Sequence, residues 1–327
     1  MLSDYFLPYD RIITTEGIVF EVQSGFKSKD KSLIGRPKFF PKRFHESTIG
    51  DVYWCGDDFF KIPVTPELYV LSNHIIKRVN GEYCIPELER VGIREYCDIP
   101  LEQIVQHFTP RDKTFLEKNP TNDPEKNAQD LHSLLDAAGL TEVIGIGGSM
   151  LMGLSSRYSD IDLVIYGPEN TENVIAVLQK EVDIHPRTES EYKMRYDKLS
   201  KQFRSFMSFD EYVAQESSKK MRGYVNGVKL TINVVDPENH PSVIRGPFGE
   251  LAEHFGVIVD DTHSLTHPSR LLLHDSDTNI MTIVSLSRIF SSQVKLGDQC
   301  SVQGYLHSDQ KTIVVHDSFG GIKRKSI

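Results

Sequence analysis

The reading of this chain turns on one stretch: Val143-Ile144-Gly145-Ile146-Gly147-Gly148-Ser149-Met150-Leu151-Met152-Gly153-Leu154-Ser155-Ser156-Arg157-Tyr158-Ser159-Asp160-Ile161-Asp162-Leu163-Val164-Ile165-Tyr166. Val143 to Ile146 has the composition of a strand, and it runs into a glycine turn at Gly147-Gly148-Ser149. A short helix is expected from Met150, then a second strand from Asp160 to Tyr166 that stops at Gly167-Pro168. Glycines without Cβ atoms let backbone N–H groups approach a phosphate, and a helix N-terminus behind them adds a favourable dipole. Ser149 adds a hydroxyl. Asp160 and Asp162 are two apart on a strand, so both carboxylates share one face while Ile161, Leu163 and Ile165 take the other, core-facing one. Two like charges side by side call for a cation between them. Mg2+, or Mn2+ in its place, suits carboxylates combined with substrate phosphates. The short connection brings phosphate donors opposite metal ligands, the layout of metal-assisted nucleotidyl transfer.

Working outward, Ala128, Leu131, Leu134, Leu135 and Ala138 recur at helical spacing over Pro124–Ala138, and Gly139 follows as a stop. Thr171 is placed to cap a helix carrying Val174, Val177 and Leu178. Tyr192, Tyr196, Leu199, Phe203 and Phe206 form one apolar stripe of a longer helix, and another helix is expected around Asp210–Lys220. A strand, Gly227–Val235, leaves an Asn226-Gly227 turn. Residues 1 to about 110 read as β-rich, with strands at Ile18–Val22 and around the Gly56-Asp57-Asp58 turn. Lys118 to Asn127 reads as a linker. From Pro241 onward, short strands at Val257–Val259, Met281–Leu286, Cys300–Tyr305 and Thr312–Val315 suggest a small barrel or sandwich. The expected class is therefore α+β. A central domain at 125–240, a mixed sheet with helices on one side, is flanked by a β-rich N-terminal domain at 1–118 and a small β-rich C-terminal domain at 241–327.

Taken together, the Gly-Gly-Ser turn, the short helix and the Asp-x-Asp strand resemble the signature of the DNA polymerase β-type nucleotidyltransferase superfamily. The sharp likeness covers Val143–Tyr166, and a looser one in element order runs from about Asn127 to Asp236. More faintly, the whole chain resembles uncharacterised prokaryotic proteins, many of them archaeal, with such a domain at their centre. The resemblance implies that Gly148 and Ser149 grip the triphosphate of an NTP, and the geometry of the turn adds Gly147 as a nucleotide-binding candidate. It implies that Asp160 and Asp162 are catalytic and bind the divalent ions. Arg157 is a further candidate triphosphate contact, with a surface charge as the plain alternative. The family usually carries a third carboxylate on a neighbouring strand. Here that strand offers Thr231 and Asn233 on the polar face, with Asp236 just beyond it. Asn233 can coordinate a metal but cannot accept a proton, so Asn233 and Asp236 are the possible third positions.

Composition bounds the rest. With 327 residues, a formal net charge of −9 and 39% hydrophobic residues, the chain reads as a globular protein and not as a bulk nucleic-acid coat. Cys55, Cys84, Cys97 and Cys300 form no C-x-x-C pair, no apolar run reaches a membrane span, and the start lacks the pattern of a signal peptide, so the expectation is a cytoplasmic protein. One basic, aromatic stretch, Phe26 to Phe44, could stack RNA bases on its phenylalanines; a solvated loop with core phenylalanines is the plainer reading. His254, His263, His267 and His274 lie near Asp260, Asp261, Asp275 and Asp277 without matching a metal-ligand spacing. The expected function is Mg2+-dependent transfer of a nucleotidyl group from an NTP to a hydroxyl of RNA, protein or a small molecule. The alternative is a catalytically degenerate module that binds nucleotide or RNA.

Overall fold

A computed structural model describes residues 6–24, 31–46, 52–62, 66–239, 241–275 and 279–325, without the side chains of 66–69. It contains both helices and mixed sheets, as an α+β chain should. Contacts divide the chain into two units, each drawn from three separate segments. The first is Met1–Pro63, Asp98–Arg187 and Lys220–Glu238; the second is Val64–Cys97, Thr188–Lys219 and Asn239–Ile327.

In the first unit, an N-terminal sheet is built from β1 (Arg11–Thr14), β2 (Val19–Val22), β3 (Ser32–Pro41), β4 (Tyr53–Cys55), β5 (Phe59–Lys61), β6 (Cys97–Pro100) and β7 (Ile104–Phe108). Its order is β4-β5-β3-β2-β1-β7, with β6 also on β3. Strand register lines Arg11 up with Glu21 and Glu21 with Arg36. Arg11 bonds the buried Glu21 carboxylate, and Arg36 Nη2 and Lys38 Nζ reach it at 3.0 and 3.2 Å. Burying a carboxylate requires such partners. Two of the bases in the basic, aromatic stretch are thus turned onto Glu21. Phe39 and Phe40 are 2% and 1% exposed, so they are core side chains and not a platform for bases. Phe26, Lys27, Lys29 and Asp30 lie outside the described residues, as does Asp277.

The central sheet of the same unit comprises β8 (Ile144–Ile146), β9 (Ile161–Tyr166), β10 (Ile184–His185), β11 (Arg222–Val225) and β12 (Val228–Val235), in the order β10-β11-β12-β9-β8. β9 and β12 are parallel, and the other pairs are antiparallel. The helix Asp123–Ala137 starts where Asn122 accepts the Glu125 N–H at 3.0 Å, an N-cap satisfying a donor the helix cannot. It buries Ala128, Leu131 and Leu135 and packs on β9 and β12. On the other face, Leu7 and Tyr9 share a core cluster with Val164, Tyr166 and Val235. That cluster packs the N-terminal segment against the central sheet within the first unit.

In the second unit, β13 (Phe248–His263), β14 (Ser269–Asp275), β15 (Ile280–Ser285), β16 (Gln299–His307), β17 (Thr312–Val315) and β18 (Gly321–Arg324) form a six-stranded sheet that closes on itself through β13–β16 pairing. Closure removes exposed edges. Helices Glu189–Asp197, Lys201–Phe206 and Phe209–Ser217 belong to this unit, and their Tyr196, Phe203 and Tyr212 share a core with Ile258, Ile283 and Val302. The single long helix expected over Tyr192–Phe206 is two helices. Ser200 Oγ accepts the Phe203 N–H at 3.0 Å and starts the second, which breaks the stripe without moving its apolar residues out of the core. Two helices, Pro66–Asn80 and Pro86–Arg90, occupy a segment expected to be β-rich. Thr171 is the first residue of the helix Thr171–Glu181 and makes no cap. Among the described residues, no helix is long and apolar enough to cross a membrane.

Candidate functional site

β9 is the central element of the site, because β8 and β12 flank it and both of its faces are covered at one end only. Ile161, Leu163 and Ile165 are fully buried on one face. On the other, Val164 and Tyr166 are covered by the Leu7 and Tyr9 cluster. Asp162 shares that second face by period-2 geometry, and Asp160 precedes the strand on the same side. Both aspartates are half-buried, at the end of β9 away from Tyr166.

The glycine turn is fitted to Asp162. The Gly147 N–H donates to the Asp162 carbonyl at 2.8 Å. Gly148 has φ +71°, a conformation that L side chains rarely adopt, and a Cβ there would overlap Asp162 Oδ2 and lie 3.2 Å from Cγ. Two carboxylates in alternate positions on one face, with a turn cut away to admit one of them, fit a divalent cation. The helix after the turn is only Gly148–Leu151, so its dipole is small. With the Gly147 N–H bonded to the Asp162 carbonyl, the N–H groups of Gly148 and Ser149 are the turn's remaining donors. Among the described residues, no group of three or more His, Cys, Asp or Glu side chains is arranged to hold a metal ion, and the histidines of the second unit do not converge.

Ser149 makes a contact that its position in the sequence does not announce. Its Oγ donates to Ser159 Oγ at 3.1 Å, and the Ser156 N–H donates to the same Ser159 oxygen at 2.9 Å. Ser159, which accepts both, keeps its own hydroxyl proton for an outside acceptor. The turn is therefore laced to the residue before Asp160. A second tie lies further back. Glu125 accepts the Thr121 N–H at 2.6 Å and Thr121 Oγ1 at 2.9 Å, and it takes a bond from Ser155 in the same loop. Partial burial would raise the Glu125 pKa, but the bonds from Ser155 and Thr121 outweigh it and hold the carboxyl below its ordinary value. The segment Met150–Gly153 forms one wall of a cavity of ≈ 340 Å³ that Glu125 and Ser155 also line. Ser159 and Glu125 were missed by sequence reasoning. A serine and a glutamate at loop ends carry no signal until the loop's path is known.

Arg157 is exposed three residues before Asp160, with its guanidinium 4.7 Å from the centroid of the exposed Tyr158 ring. It makes no ion pair or hydrogen bond among the described residues. Strand register places the candidates for a third position. Thr231 is the partner of Asp162 across β9 and β12, and Asn233 is the partner of Val164. Asn233 is 5% exposed, with Nδ2 unpaired, one pleat deeper than the aspartates. Asp236 follows Val235, whose partner is Tyr166, so it stands at the opposite end of β9. Five residues of strand separate it from the Thr231 row, roughly 16 Å. Its Oδ1 accepts the Glu238 N–H at 3.0 Å. The residue facing Asp162 is a threonine.

Comparison with known proteins finds a family match over this region. Residues 132–222 match the family model of the nucleotidyltransferase domain, which takes in the glycine turn and both aspartates and ends before β12. The chain is similar to an uncharacterised protein of Methanocaldococcus jannaschii, 23% identical over 194 residues. That match covers 56% of each chain, so the chain spans little more than half the length of this relative. No solved structure matches.

Proposed function

We propose that the nucleotidyltransferase domain at residues 132–222 moves a nucleotidyl group from an NTP to a hydroxyl acceptor. Asp160 and Asp162 hold the divalent cation in this reading, and the N–H groups of Gly148 and Ser149 take the triphosphate, the Gly147 N–H being engaged by the Asp162 carbonyl. The observation that supports it is the seating of the Asp162 carboxylate against Gly148, which puts a carboxylate beside a glycine turn, as metal-assisted transfer from a triphosphate requires. The acceptor oxygen bonds to the α-phosphorus, the bond from that phosphorus to the bridging oxygen breaks, and pyrophosphate leaves with the electron pair. The hydroxyl proton passes to water, since Thr231 opposite Asp162 cannot accept it at neutral pH. Mg2+ or Mn2+ supplies neutralisation of the phosphate charge. Ser159 offers its hydroxyl proton to a phosphate oxygen, and Ser149 holds Ser159 in place. Arg157, unpaired and exposed in the same loop, is free to reach the triphosphate. The four free cysteines suit a reducing compartment, and the cytoplasm is the proposed place of action.

The test is incubation with labelled NTPs, Mg2+ or Mn2+ and candidate acceptors, RNA among them. Transfer that is lost in Asp160→Ala and Asp162→Ala supports the reading, and equal transfer by wild type and variants contradicts it. Thr231 in the row of Asp162 favours one second reading, a degenerate module that binds nucleotide without transfer. Tight NTP binding in calorimetry with no pyrophosphate released under any acceptor would select it.

A further inference from the structure

Away from the glycine turn, the face of the central sheet that carries the aspartates becomes basic. Thr231 pairs with Asp162 on one side and with Arg222 on the other. One step back, Lys229 precedes Leu230, the partner of Ile161 at the start of β9, and Lys229 pairs with Tyr224, which pairs with His185. Paired residues share a face, and neighbouring strands are about 4.8 Å apart, so Lys229 starts about 5 Å and Arg222 about 10 Å from β9. Lys229 is half-buried and makes no ion pair or hydrogen bond among the described residues. Two residues past His185, Arg187 is 7% exposed, and its Nε and Nη1 meet no hydrogen-bond partner. Buried donors left open are costly unless an anion meets them. Asp183, an exposed acid on this edge, is engaged with His185 at 3.2 Å.

The glycine turn stands on the β8 side of β9 and the basic residues on the β12 side. In a displacement at phosphorus, the attacking and leaving oxygens lie roughly in line, on opposite sides of the reacting atom. If the triphosphate tail lies on the turn, the acceptor comes over β12. Resting on the transfer proposed above, we infer that Lys229 and Arg222 seat the acceptor, with Arg187 as a further cation at the strip's far end, and that the acceptor is a small alcohol bearing a phosphate group. Two or three cations match one phosphate monoester. A chain of net charge −9 offers no overall positive field to gather a long polyanion.

The experiment is calorimetry of the full chain with Mg2+ and α,β-methylene-ATP, titrated with glycerol 3-phosphate, with glycerol, and with a single-stranded oligoribonucleotide. Glycerol 3-phosphate should bind together with the nucleotide, and glycerol should not bind. Lys229→Gln and Arg222→Gln should each weaken glycerol 3-phosphate about fivefold or more while changing nucleotide affinity less than about twofold, the size of one charged hydrogen bond at a half-exposed site. Lys229→Gln, the less buried change, decides the matter if Arg222→Gln fails to fold. Nucleotide binding without glycerol 3-phosphate binding, competition between the two, or an unchanged affinity in Lys229→Gln overturns the strip alone. Oligoribonucleotide binding lost in Lys229→Gln overturns the small acceptor in favour of a nucleic acid. Failure of the wild type to bind nucleotide removes the transfer reading itself.

Discussion

Gly148 and Asp162 occupy each other's space: the α-carbon of the glycine faces the carboxylate so closely that a Cβ would overlap Oδ2, and φ at Gly148 is +71°. The glycine is needed twice, once for its backbone angle and once for its missing side chain. Gly153, five residues on, has φ +66° and nothing within 4 Å of a built Cβ. The pair separates the two needs. Gly153→Ala should cost about 1 kcal/mol of stability, from the backbone angle, and leave NTP binding alone. Gly148→Ala should cost a further 1–3 kcal/mol or so from overpacking and displace the carboxylate. Urea denaturation and Mg2+-NTP titration of both variants give the comparison; equal effects on NTP binding would remove the special role of Gly148.

Ser149 and Ser159 should act as one unit. Either serine replaced by alanine should lower NTP affinity by about 1 kcal/mol, because each loses the same bridge. The double variant should then cost clearly less than the sum of the singles. A double-mutant cycle on NTP affinity measures this, and strict additivity would show that the two hydroxyls work independently.

Thr231 stands where a third carboxylate would face Asp162. Thr231→Asp should lower the Mg2+ concentration needed for half-maximal NTP binding. If transfer is limited by the absent base, its rate should rise on the order of 10²-fold. Metal titration and single-turnover kinetics read the two effects. No change in either would mean that the row of Asp162 is not where the cation sits.

Glu125 ties Thr121 to Ser155 with a carboxyl held below its ordinary pKa. A depressed folded-state value means that the ionised form is the stabilising one. Its contribution is present above the unfolded-state pKa and is lost as pH falls through the folded-state value. Glu125→Gln should therefore be less stable than wild type at neutral pH, and the gap should narrow in acid. Urea denaturation of both proteins across pH tests the sign; a gap that widens in acid would contradict it.

Much of the candidate site was legible before the fold. Gly147-Gly148-Ser149 and Asp160-Ile161-Asp162 announce themselves because turn and strand are local, with periods that a short window contains. The β12 strand and its Asn226-Gly227 turn were equally readable, and Gly227 indeed has φ +77°. The third position was not. Choosing among Thr231, Asn233 and Asp236 requires the register of β12 against β9, which spans some seventy residues of chain. The same limit hid the second covered face of β9. Val164 and Tyr166 look like ordinary alternation until Leu7 and Tyr9, far away in sequence, pack on them. The helix Pro66–Asn80 was lost among β-rich neighbours, and Ser200 broke a helix whose apolar stripe ran on past it.

The account's central claim is that Asp160 and Asp162 hold a cation on which NTP binding depends. Two carboxylates near a triphosphate repel it by about 1 kcal/mol in water and several times more in a partly buried cleft, and a divalent ion reverses that sign. The most direct measurement is NTP titration of wild type in EDTA, in Mg2+ or Mn2+, and in NaCl of matched ionic strength, repeated on Asp162→Asn. Wild-type affinity should fall at least about tenfold in EDTA, return with the divalent ions and not with NaCl, and depend less on metal in Asp162→Asn. Wild-type affinity that is indifferent to EDTA would contradict the claim and leave the two aspartates as ordinary polar residues at a strand's edge.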